Sequence, residues 1–160
     1  MNERLSQLAL DAAKGNRAAA DYVLSLVEVL HFWDDLIDKD CAVSDRTIHR
    51  MFMHMLVEMP RNPFFLAHQQ NLTPVLIMAI QNWHVANAVE RGECLDIPME
   101  CAFIIRSAYT DIITLVATIC GGYEHGVEVG KAVRALAHEE GFDVYRENLA
   151  AEKLLRDARE

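Results

Sequence analysis

The segment His31-Phe32-Trp33-Asp34-Asp35-Leu36-Ile37-Asp38 packs a histidine and three carboxylates into a stretch that is otherwise apolar and aromatic. Aspartate is a poor helix-interior residue, and an unpaired charge beside apolar surface is costly. Such a cluster is either held at a water-facing edge or neutralised by a cation. Wound as a helix, the segment puts Asp35 with Asp21 and Glu28 in the middle of the polar arc. Asp34 lies nearest the apolar border, and Asp38 follows it one turn later on the same flank. Two like charges so placed repel unless a cation bridges them. Mg²⁺ suits the position, because it takes one or two protein carboxylates and keeps several waters. Asp34, Asp35 and Asp38 are therefore the candidate metal residues. The alternative is a solvated acidic face of the kind that amphipathic helices ordinarily carry.

Two further segments carry polar stripes on apolar helices. Between Thr73 and Arg91 the stripe is Gln81, His84, Asn87 and Arg91, with Trp83 beside it. Between Asp96 and Gly121 it is Ser107, Thr110, Asp111, Thr114 and Thr118, bordered by Arg106. Buried polar groups must be hydrogen-bonded. These stripes either satisfy one another or line a polar cavity in which arginine grips an anion. The second arrangement makes Arg91, Arg106, Asp111, His84 and Trp33 the candidate ligand-binding residues. Glu28-x-x-His31 has the spacing used in di-iron bundles, but no second such pair occurs in the chain. His49 and His54 do not share a helix face, and His125 and His138 read as surface or packing residues. No nucleophile elbow, phosphate-binding glycine loop or H-E-x-x-H motif is present.

The elements that must position these residues are helical throughout. The spacing predicts helices at about 3–14, 17–39 with Asn16 as N-cap, and 44–58 capped by Ser44 and ended ahead of Pro60 and Pro63. A short helix is expected at about 64–70 and a long one from Thr73-Pro74 to about Arg91, with proline at its first position. A single helix is then expected from Asp96 to Gly121, followed by two at about 124–140 and 143–159. No strand-like alternation, linker or repeat interrupts the pattern. The expectation is one all-α domain over residues 1–160, an array or bundle of seven to eight helices, with 142–160 a charged C-terminal helix.

Composition narrows the classes. The chain has 160 residues, of which 52% are hydrophobic and 24% charged, which suits a folded domain with a core. Its net charge is −9, and it has no Lys/Arg block, so nucleic acid is not an expected partner. The four cysteines show no C-x-x-C spacing and read as small apolar residues of a reducing compartment. No signal-peptide pattern opens the chain, and the longest apolar run, Ile112 to Cys120, is too short for a membrane span. The expected setting is the cytoplasm, or a virus particle made there. The apolar surplus fits a homo-oligomer that hides a face against its own copy.

Asp34-Asp35-Leu36-Ile37-Asp38 resembles the Asp-Asp-x-x-Asp motif of the class I isoprenoid (terpenoid) synthases, and Trp33 matches the aromatic residue common just before it. The resemblance implies an all-α fold in which Asp34 and Asp38 hold Mg²⁺, Asp35 supports them, and the metal binds a substrate diphosphate. The family's second metal motif is not intact. Asn82 and Glu90 keep its outer spacing, but Ala86 stands where a hydroxyl is required, and Thr110-Asp111 with Thr114 ends on Thr118 instead of glutamate. Val27 to Phe32 and Glu93-Cys94-Leu95-Asp96 are more weakly similar to the all-α nucleoside triphosphate pyrophosphohydrolases. Both resemblances imply one function, Mg²⁺-dependent binding or turnover of a diphosphate-containing small molecule on an acidic helix. The competing expectation is a non-catalytic helical subunit or assembly component with no active site.

Overall fold

A computed structural model describes residues 3–38, 41–94 and 96–157. Among them are eight α-helices and no strand. Helix α1, Glu3–Ala13, buries Leu5, Ala9, Ala12 and Ala13, one face at three- and four-residue spacing. Lys14 and Gly15, both at positive φ, turn the chain sharply. Asn16 then caps α2, Arg17–Asp38, by accepting the Ala19 amide at 3.1 Å. The buried Ala19 and Ala20 keep the start of α2 slim where α1 crosses it. Ser44 caps α3, Asp45–Met53, accepting from the Thr47 amide as its sequence position predicts. The helix then widens into a π turn, His54–Glu58, and tightens into a 3₁₀ turn, Met59–Arg61, on reaching Pro60.

Helix α4, Pro63–Glu90, corrects the expectation of two helices divided at Thr73-Pro74. Asn62 caps it, accepting from the Phe64 and Phe65 amides and donating to the Ala18 carbonyl at 2.9 Å, which ties its start to α2. Pro74 lies inside the helix, on its exposed side. Gln70, whose carbonyl loses its amide partner to the proline, is also an exposed residue, while Phe64 and Leu72 hold the opposite face in the core.

The single helix expected from Asp96 to Gly121 is two, α5 at Met99–Ile105 and α6 at Tyr109–Gly121. Between them the amides of Ala108, Thr110 and Asp111 bond three residues back instead of four. Ser107 reinforces the turn by donating to the Ile104 carbonyl at 2.9 Å. The span Met99–Gly121 has the length and mean hydropathy (1.5) of a membrane helix. Here it is interrupted by this turn and supplies Ile112, Ile113, Val116 and Ala117 to the core.

Gly122, at φ 86°, turns α6 into α7, Tyr123–Ala137. These two helices approach closely because Gly126 and Gly130 face Thr118 and Thr114. A methyl group built on Gly126 would lie 2.0 Å from the Thr118 hydroxyl. Helix α8, Phe142–Asp157, docks through a ring cluster of Phe103, Phe142 and Tyr145. Residues 158–160 of the expected C-terminal helix lie outside the described set. The main core gathers α1, α2, α4, α6 and α7 around Tyr22, Val23, Leu72, Ile113 and Val133. A smaller one, Ala86, Val89 and Ala102, sits where α4 meets α5.

Candidate ligand cleft

The turn between α5 and α6 delivers Arg106 to the mouth of a cleft of about 290 Å³. Helix α2 supplies Trp33 and Asp34 to its lining, α4 supplies Trp83, and the α5–α6 segment supplies Phe103 and Tyr109. His138, Tyr145 and Asn148 close it from the α7–α8 side. The Trp33 and Trp83 rings stand 4.3 Å apart, centroid to centroid.

Arg106 is the hub of the polar lip. One guanidinium nitrogen donates to both oxygens of Glu90, each at 2.7 Å. The other donates to Asp34 Oδ1 at 3.1 Å. Tyr145 donates its hydroxyl to Glu90 Oε1. The Glu90 side chain is 8% exposed, against 26% for Arg106 and 43% for Asp34. The carboxylate that most needs a partner thus receives the strongest set of charge-assisted bonds. Burial, and then the bond to Glu90, push the Tyr145 hydroxyl well above the ordinary tyrosine range.

Deeper on the α7 side, His138 Nε2 and Ser107 Oγ are 3.0 Å apart. Ser107 Oγ also reaches the Ile104 carbonyl at 2.9 Å; with its proton on that carbonyl, His138 Nε2–H is the donor to Oγ. Its buried Nδ1 has no hydrogen-bond partner among the described residues. Burial, with Arg134 nearby, lowers the His138 pKa.

The structure separates residues that the sequence reading grouped. Trp33, Asp34 and Arg106 share the cleft. His84 and Arg91 do not; they line a second cleft of about 320 Å³ with Leu36, Ile37 and Asn87, on the far side of the tryptophan pair. Asp111 lies in neither, because the turn at 106–108 rotates α6 and points it at α7, where it pairs with Arg134. Along the α6 stripe Thr114 and Thr118 donate to the carbonyls of Thr110 and Thr114, and both also line a separate groove of about 300 Å³ against α7, away from Arg106. Asp35 is half-buried on α2 and lines neither cleft. The Asp38 side chain lies outside the described residues. Glu28 forms an ordinary ion pair with Arg50 of α3 at 2.6 Å. His125 reaches the Ala12 carbonyl, and His138 packs at a tilt against the Phe103 ring, both packing roles.

Glu90 and Tyr145 were not among the sequence candidates. Glu90 carried a signal, since it keeps the outer spacing from Asn82 and is the first charge after a long uncharged run. Tyr145 carried none.

Among the described residues no three His, Cys, Asp or Glu side chains converge as a metal cage. Two carboxylates from different helices, Asp34 and Glu90, do converge on one cation, the Arg106 guanidinium. Mg²⁺ takes only one or two protein carboxylates, and of the three candidate metal residues Asp34 is the one that the structure places at the cleft. Comparison with protein-family models, curated proteins and solved structures finds no match to this chain.

Proposed function

We propose that this chain binds a small organic molecule bearing a diphosphate, with the organic part between the aromatic walls of the cleft and the diphosphate at its lip. Mg²⁺, held by Asp34 at the cleft with Asp38 one turn on, would neutralise the charge of that head group; Asp35, outside the cleft, takes no part. The observation that carries the reading is the bridge from Asp34 through Arg106 to Glu90 at the mouth of an aromatic cleft. Arg106 balances the two carboxylates; with Mg²⁺ on Asp34, the guanidinium nitrogen that now bonds Asp34 is freed for phosphate oxygens while the other stays on Glu90. Trp33, Trp83 and Phe103 offer flat apolar surface to the rest of the ligand and keep water from it. The likeness of Asp34 to Asp38 to the Asp-Asp-x-x-Asp motif supports the same chemistry.

The test is thermal unfolding with MgCl₂, with inorganic pyrophosphate, and with both. The pair together is expected to raise the melting temperature, a stabilisation of about 2.7 kcal/mol at a hundredfold excess over the dissociation constant. Asp34→Asn should remove the effect. No shift under any of the three conditions, with Asp34→Asn and Asp38→Asn behaving as the parent, overturns the proposal.

A further inference from the structure

From Pro63 to Val89, helix α4 contains no Asp, Glu, Lys or Arg, in a chain that is 24% charged and carries a net charge of −9. Its buried side accounts for Phe64, Leu72, Ala86 and Val89. The opposite side carries a seam of exposed positions spaced alternately by four and three residues, namely Leu66, Gln70, Thr73, Ile77, Ile80 and His84. Leu66, Ile77 and Ile80 are each at least half exposed. Exposed Met78 and Val85 flank them. This alternation is the narrow stripe by which one helix packs along another, distinct from the broader stripe that faces a core.

We infer that two copies of this chain pair through α4, the seams packed antiparallel about a twofold axis near Ile77 and Ile80. Charge selects a second copy as the occupant. Each protomer is strongly acidic, so two copies repel over most of their surfaces, and the longest helix is the face where they meet without opposing like charges. A twofold contact is self-complementary, and an uncharged seam satisfies that condition with itself. The uncharged Gln70, Thr73 and His84 then supply the polar rim around an apolar centre. The pairing does not depend on what the aromatic cleft binds.

Sedimentation velocity of the full chain tests this across micromolar concentrations at low and high salt. The expected result is a species of twice the 18.1 kDa monomer mass. Its association should tighten as salt rises, because screening weakens repulsion between the acidic bodies while the contact itself holds no ion pairs. The double variant Ile77→Glu/Ile80→Glu is expected to sediment as a monomer with unchanged helical circular dichroism. Ile77→Gln/Ile80→Gln, which adds no charge, should weaken the dimer at least tenfold. A parent chain that stays monomeric at high concentration and high salt overturns the inference. So does a dimer that survives both double variants, or one that salt dissociates.

Discussion

Arg106 shows how much one side chain can be asked to do. It neutralises Glu90, which the fold has almost entirely removed from water, and it reaches Asp34 at the cleft edge. Arg106→Met should therefore cost about 3 kcal/mol in chemical denaturation, because a buried carboxylate loses its counterion. Adding Glu90→Gln should recover much of that loss, and a double-mutant cycle measures the coupling. His138 gives a second residue-level prediction. Its pKa is lowered in the folded state, so the unfolded chain takes up the proton first as pH falls. Stability is expected to decline below about pH 6.5, the ordinary histidine value. Melting curves of His138→Gln should show less of that decline than the parent, and identical pH profiles would remove His138 as the cause. Trp33, Asp34 and Arg106, which share one cleft, stood out in the sequence as aromatic and charged types at helix borders. The partition of Arg91 and His84 into another cleft, and the recruitment of Tyr145, depend on how helices face one another, which local spacing does not encode.

The elements were legible where local chemistry sets their ends. Asn16, Ser44 and the glycines at 15 and 122 end or begin helices as their types dictate. Two readings failed where tertiary contacts outweigh local preference. Pro74 is carried inside α4 because packing on the opposite face outweighs one lost hydrogen bond. The turn at Arg106–Ala108 is invisible to periodicity, because apolar residues continue through it. It is set by Ser107, braced by His138 from another helix. The α6–α7 pair offers a test at this scale. Gly126→Ala forces a methyl group onto the Thr118 hydroxyl, and overpacking of this kind costs roughly 1–3 kcal/mol. Gly130→Ala, whose nearest contact would be 3.1 Å, should cost less, and urea titration of the two variants side by side measures the difference.

At the scale of the molecule, the all-α class follows from helical periodicity sustained along the chain, and composition alone foretold a substantial core. Net charge said nothing of where charge is missing, and the uncharged length of α4 acquires meaning only once its outer side is seen to be bare. The chain has two tryptophans, and both line the aromatic cleft and the neighbouring cleft that holds His84 and Arg91. Excited at wavelengths that tyrosine does not absorb, its fluorescence therefore comes from that pair of rings. A guest entering either chamber should change the colour or brightness of this light, and Trp83→Phe should leave Trp33 as a lone reporter. The protein thus comes with its own lamp, placed where an occupant would cast a shadow.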